Sequence, residues 1–257
     1  MFPELHIISV FLIVFTAATL GAMIGVGGGF LMVPLLTLLL RYPIHEAIAL
    51  SLLSIVAIAS SATITYSISR HIDYKIGILL ETTTAIGAFV GANTSLKLPS
   101  NILFILFGCA LIFVSYRMLA GIKFEAKEKK RISNIRLSSG VLASFIAGVL
   151  SGLLGIGGGI VKVPIMVLIL GFPTKLAIGT SEFMISITSA VGSYVYYRAG
   201  IIEYMPAASA IIGAILGAQL GSRVGLKIKG ITLRKIFGIV MLIFSIMMIL
   251  KGLGYWV

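Results

Sequence analysis

Three ionisable side chains lie inside otherwise apolar stretches of the chain: Glu81 in Leu80-Glu81-Thr82-Thr83-Thr84, Lys162 in Ile160-Val161-Lys162-Val163, and Glu182 in Gly179-Thr180-Ser181-Glu182. A charge among apolar side chains is costly, and within a membrane such residues mark substrate or ion paths by default. Lys162 is expected to present a positive charge to a small anion. Glu182 is expected to be either its counter-ion or a protonatable coupling group. The alternative is a mutually satisfied pair that holds no ligand, or side chains that reach out toward the cytoplasmic interface. Glu81 stands only a turn or two from Lys75 and is expected to reach out to the interface.

Two glycine clusters add a second kind of chemistry. Gly25-Val26-Gly27-Gly28-Gly29 is followed by Pro34, and Gly155-Ile156-Gly157-Gly158-Gly159 by Pro164. Glycine costs roughly 1 kcal/mol per residue in a helix interior, so the helix should break at each cluster. A break at membrane depth is tolerated only where the freed backbone is buried in protein or lines a cavity. The next half-helix, starting near Phe30 or Ile160, then offers free amides and the positive end of its dipole to an anion. The expected binding set is Gly27, Gly28 and Gly29 with Ser51 from one half, and Gly157, Gly158, Gly159, Lys162, Thr180 and Ser181 from the other. Gly87 and Gly91, and Gly213, Gly217 and Gly221, spaced by four, are read as helix-packing positions. Asn93 and Gln219 follow them and are expected along the pathway.

These groups are set in 257 residues that are 59% hydrophobic and 11% charged, with mean hydropathy +1.14. A soluble domain carries about 25% charged residues. The apolar residues fall into runs of roughly 17 to 25, long enough to cross a ~30 Å hydrocarbon core. The chain therefore reads as an all-α polytopic membrane protein whose first partner is the lipid bilayer. Its net charge of +12 comes from Lys and Arg between apolar runs, where they set orientation, so nucleic acid is discounted as a partner. The residues before the first run contain Glu4 and no Lys or Arg, unlike a secretory signal, so that run is kept as a membrane helix. Cys109, the single cysteine, excludes an intrachain disulfide.

The second glycine motif repeats the first, Gly155 to Pro164 standing for Gly25 to Pro34 with six of ten positions identical. Pro43 and Pro173, Ser51 and Ser181, and Phe107 and Phe237 keep the same offset. Gly87 to Ala92 matches Gly213 to Ala218 at the smaller offset of 126, which implies four extra residues in the loop that follows. The duplication divides the chain into a first repeat at 1–120, a basic linker at 121–138 and a second repeat at 139–257. Each repeat holds about five helical segments, with helices broken at the glycine motifs, and its second segment is too short to span comfortably. Cytoplasmic loops are enriched in Lys and Arg. An odd number of crossings per repeat puts fifteen of them on the linker side and four on the other. The two repeats are accordingly expected to be inverted in topology, with a cytoplasmic linker and both termini outside. Inverted repeats are the common architecture of secondary transporters.

Chemistry of other kinds finds little support. His6, His45 and His71 lack metal-ligand spacing, no nucleophile and base pair is apparent, and no Gly-x-x-x-x-Gly-Lys-Ser/Thr occurs. The sequence therefore calls for no enzyme, metal or cofactor. A non-transporting scaffold or biogenesis factor would have no use for helix breaks at two symmetric depths. A subunit contact would share the composition of the lipid-facing surface, so no oligomeric state is legible.

The duplicated Gly-x-Gly-Gly-Gly-x-x-x-Val-Pro, the Pro-x-x-x-Ala-Ile that follows it, and Gly179-Thr180-Ser181 resemble the sulfite exporter TauE/SafE family, also called the four-toluenesulfonate uptake permease family. The resemblance covers about residues 7–250. It implies a transporter of small sulfur-containing anions such as sulfite, thiosulfate or organosulfonates in a prokaryotic cell membrane, working in either direction. The first repeat departs from the pattern with Leu50-Ser51 where the second has Thr180-Ser181.

Overall fold

Glycine and proline punctuate the chain where the helices begin. In the computed structural model, which describes residues 3–24, 27–120, 134–225 and 231–255, the first half contains α1 (Pro3–Ile24), α2 (Gly29–Leu39), α3 (Ile44–Ile68), α4 (Tyr74–Ser95) and α5 (Ser100–Leu119). The second half contains α6 (Asn134–Leu154), α7 (Gly159–Pro164, continued by a π-helical stretch Ile165–Ile169), α8 (Thr174–Arg198), α9 (Tyr204–Gly225) and α10 (Ile231–Gly252). All ten expected segments are present, and no strand occurs among the described residues. Residues 121–133, most of the expected linker, lie outside them.

Local chemistry sets these starts. Pro43 and Pro173 hold nearly the same extended conformation before α3 and α8, with φ and ψ of −53° and 139°, and −55° and 139°. The fixed ring torsion of proline pre-forms that entry. Asp73 caps α4 by accepting from the Ile76 amide at 3.2 Å. Gly28 and Gly158 precede α2 and α7 with φ of +76° and +77°, a left-handed conformation that costs any residue with a β-carbon.

Among the described residues, six helices are long and apolar enough to cross a membrane: those at Leu5–Met23, Ile44–Ile68, Tyr74–Ser95, Ser100–Leu119, Leu137–Leu154 and Tyr204–Val224. The 25-residue α8 equals α3 in length but carries Lys175, Glu182 and Arg198. At 11 residues, α2 rises only about 16 Å, half of a bilayer core.

The main packing partners exchange between halves. α1 lies on α9 and α4 on α6, while α3 lies on α8 and α5 on α10. Glycine makes the first two contacts close. A β-carbon at Gly87 or Gly91 would collide with the Phe145 or Val149 carbonyl, and one at Gly217 or Gly221 with the Phe15 or Thr19 carbonyl. Each collision in one half has its counterpart in the other, at the offset that relates the two glycine motifs. The equivalent of Gly87 is therefore Gly217 rather than Gly213, and no four-residue insertion is needed. The offset of 126 is a slip of one helical turn, which a stripe of glycines spaced by four permits.

Candidate functional site

Lys162 sits in the first turn of α7, just past the second glycine break, and is 1% exposed. Its ammonium donates to Glu81 Oε2 of α4 at 3.1 Å and to Thr188 Oγ1 of α8 at 2.5 Å. Thr188 in turn lies 2.5 Å from Glu81 Oε1, to which it donates, with the Met184 carbonyl at 3.0 Å as a second acceptor. Both carboxylate oxygens of Glu81 are thus held by one cation and one hydroxyl, from two helices other than its own.

Two expectations are corrected by this arrangement. Glu81 is 3% exposed and does not reach toward the interface. It, and not Glu182, is the counter-ion of Lys162, so the ion pair joins the two halves of the chain. Its seat two turns into α4 brings it level with Lys162 because α4 packs between α6 and α8. Glu182 is fully buried, and neither of its oxygens has a hydrogen-bond partner among the described residues. It stays close enough to act electrostatically on Lys162 and on Tyr66 of α3.

The remaining expected residues are distributed around this group. The Ser51 hydroxyl donates to the Gly155 carbonyl at 2.8 Å, tying α3 to the second glycine break. The Thr180 hydroxyl accepts from the Asp73 amide at 2.9 Å and holds the turn between α3 and α4 against α8. Ser181 is buried beside it in α8. Gly27 and Gly157 converge: a β-carbon on either would lie within 3.1 to 3.6 Å of both Ile55 Cγ2 and Ile185 Cγ2. Gly29 approaches the Gly155 carbonyl so closely that a side chain there would collide with it. The two breaks therefore meet, as the sequence suggests, but at an apolar junction capped by Ile55 and Ile185, which occupy equivalent positions in the two halves. Gly158 faces the Lys162 stem, with a β-carbon there 3.4 Å from Lys162 Cε. Gln219 donates to Ser61 Oγ at 2.7 Å and binds α9 to α3, while half-buried Asn93 bonds back to the Phe89 carbonyl of its own helix.

Thr188 was not among the residues expected from sequence. A hydroxyl one turn beyond Met184 has a backbone acceptor ready, which is what most such residues in helices use. The signal available was its place nearly two turns after Glu182.

At the equivalent positions of the first half, Lys162, Glu182 and Thr188 are matched by Met32, Leu52 and Ile58, all fully buried. Glu81 is matched in the second half by Ile211. The polar group thus occurs once among the described residues, at one of the two equivalent places in a duplicated frame. At the other end of α3 the equivalent turn, between α8 and α9, packs near Tyr42, Glu46 and Leu50. There Ile201, Ile202, Glu203 and Pro206 complete the lining of a cavity of about 10 Å³, room for a single water. Burial first, then Glu203 and Glu46, push the Tyr42 phenol up to about 12, so it stays neutral beside His6 Nε2 at 2.8 Å. No group of three or more metal-ligating side chains occurs among the described residues.

Known proteins match between 74% and 92% of the chain. Relatives include the probable membrane transporter protein YunE of Bacillus subtilis, 31% identical over 92% of this chain and 95% of its own. YdhB of the same organism, also a probable membrane transporter protein, is 28% identical over 79% and 84%. The probable membrane transporter protein MJ0441 of Methanocaldococcus jannaschii is 31% identical over 74% and 72%. No solved structure matches. The family model described as sulfite exporter TauE/SafE matches residues 10–248, and with its ten apolar segments and transporter relatives, the chain belongs to the sulfite exporter TauE/SafE family of membrane transporters.

Proposed function

We propose that the protein is a secondary transporter that carries small sulfur-containing anions, such as sulfite, thiosulfate or organosulfonates, across a prokaryotic cell membrane by alternating access, coupled to protons. The carrying observation is Lys162: a fully buried cation at a helix break, in a family named for sulfite export. A buried ammonium binds an oxyanion strongly because little water competes for it. The backbone at Gly157, Gly158 and Gly159 completes the positive side of the site, with Thr188 as a neutral donor. Thr180 and Ser181 frame it from α8. Gly27, Gly28, Gly29 and Ser51 act from the first half by letting the two breaks meet.

Glu182 is the coupling group in this reading. A buried carboxylate with no hydrogen-bond partner sustains a charge only while a cation is near, so the transport step that draws Lys162 away from it, rather than anion binding itself, changes its hold on a proton. The exchanged packing of α1 with α9 and α4 with α6 supports two inverted repeats that rock about the Ile55 and Ile185 junction.

The test is uptake of labelled sulfite, thiosulfate and a simple sulfonate by proteoliposomes, with and without an imposed pH gradient. Saturable flux of one of them, stimulated by the gradient and lost in Lys162→Met, is expected. Glu182→Gln should keep anion exchange but lose the stimulation. Flux untouched by Lys162→Met would overturn the assignment of the site, and no flux of any of the three the assignment of substrate.

A further inference from the structure

The Lys162, Glu81 and Thr188 group is more elaborate than the fold requires. The equivalent place in the frame carries Met32 and Ile58, both fully buried, and the half-buried Ile211, so the duplicated frame folds with apolar side chains at these positions. Nor does a buried ion pair favour itself, since desolvation can exceed the attraction gained. What the group does provide is a pair of donors fitted to two oxygens on one atom. Lys162 Nζ holds Glu81 Oε2 at 3.1 Å and Thr188 Oγ1 holds Glu81 Oε1 at 2.5 Å.

We infer that Glu81 is a built-in stand-in for the substrate, its carboxylate seated on Lys162 and Thr188 in the empty protein, and that an incoming oxyanion takes this seat only as Glu81 leaves it with a proton. This rests on reading Lys162 as the anion site. The chemistry recognised is an anionic head group presenting two oxygens on one carbon or sulfur atom, as carboxylates, sulfite and sulfonates do.

The exchange balances in charge. Before it the site holds one ammonium and one carboxylate. Afterwards it holds the same ammonium, one bound monoanion, and Glu81 as a neutral acid, the proton having come from water on the open side. Without that proton the interior would hold two anions against one cation, a state whose desolvation cost nothing there offsets. The charged groups facing Glu81 are few. α7 supplies Lys162, α8 supplies Glu182 beyond it, and α6 carries no charged residue between Leu137 and Leu154. Glu81 therefore trades places with the substrate at Lys162 itself, while Glu182 acts from a distance.

Calorimetry and a pH-indicator dye in weakly buffered detergent solution test this on the purified protein, with methanesulfonate, sulfite and acetate as probes. For wild type, uptake of one proton per methanesulfonate bound is expected, with affinity rising about tenfold per unit fall in pH over the range in which Glu81 exchanges its proton. Glu81→Gln should bind more tightly at neutral pH, independently of pH and without proton uptake. Wild-type binding with no proton uptake would overturn the inference without need of any variant. So would a Glu81→Gln protein that keeps the pH dependence while Lys162→Met no longer binds, and in that case the anion site would stand. Undiminished binding by Lys162→Met, or no binding of any probe to wild type and Glu81→Gln alike, would overturn the site reading together with the inference.

Discussion

At the scale of residues, the buried group makes opposite demands on single and multiple substitutions. Lys162→Met alone leaves the Glu81 carboxylate buried without its cation, and breaking such a pair costs about 3–5 kcal/mol. Replacing all three members with the residues at the equivalent positions, as Lys162→Met, Glu81→Ile and Thr188→Ile together, removes every polar demand within the group at once and leaves Glu182 without a hydrogen-bond partner, as in the native protein. That triple variant is expected to be about as stable as wild type, or up to about 4 kcal/mol more stable, and inactive. Denaturant unfolding in detergent distinguishes the two, and a triple variant less stable than Lys162→Met would show that the group holds the fold together. Lys162 and Glu182 were legible in the sequence because an ionisable residue in an apolar run is conspicuous. The partner of Lys162 was not. Glu81 belongs to the other repeat and reaches Lys162 only through the packing of α4, which nothing local specifies. Glu182, just beyond Gly179 in the same half, was the nearer choice by sequence and stands without a hydrogen bond among the described residues.

At the scale of elements, the glycine stripes decide how closely helices approach. Gly91→Ala would place a methyl group against the Val149 carbonyl and force α4 away from α6, at an expected cost of about 1–3 kcal/mol. Gly140→Ala on α6 is the contrast. A β-carbon there meets Leu170 Cδ2 at 3.4 Å, Leu80 Cδ2 at 3.7 Å and Leu170 Cγ at 3.8 Å, ordinary contact with flexible side chains. It should therefore be neutral or stabilising by up to about 1 kcal/mol, through helix propensity alone. Thermal unfolding of the two variants in one detergent gives the comparison, and equal losses would remove close approach as the reason for the stripe. The segments themselves were readable because each apolar run ends at Gly, Pro or a charge. Their register was not, since a stripe repeating every four residues aligns with itself after one turn. Only the carbonyls that face Gly87, Gly91, Gly217 and Gly221 fix it.

At the scale of the whole molecule, the question is which way the frame sits in the bilayer. The packing of helices is the same in either orientation, so only the charges between them choose. The chain between α5 and α6 belongs to the side that carries fifteen of the Lys and Arg residues under an odd number of crossings. The negative surface of the cytoplasmic leaflet and the positive-inside rule act on those charges together. Lys127→Cys, made in a chain whose Cys109 is replaced by Ser, supplies a single thiol on that side. An impermeant maleimide is expected to label it in inverted membrane vesicles and not in intact cells. A second thiol at exposed Tyr255→Cys, at the far end of the second repeat and on the side with four basic residues, should show the reverse pattern. If both positions label from the same side, the repeats are not inverted, and rocking of two inverted halves about Ile55 and Ile185 loses its basis. If they label from opposite sides but in the contrary sense, the inverted frame stands. The turn holding Asp73, against Thr180 of α8, would then face outward, and the Tyr42, Glu46 and Glu203 cavity would open to the cytoplasm.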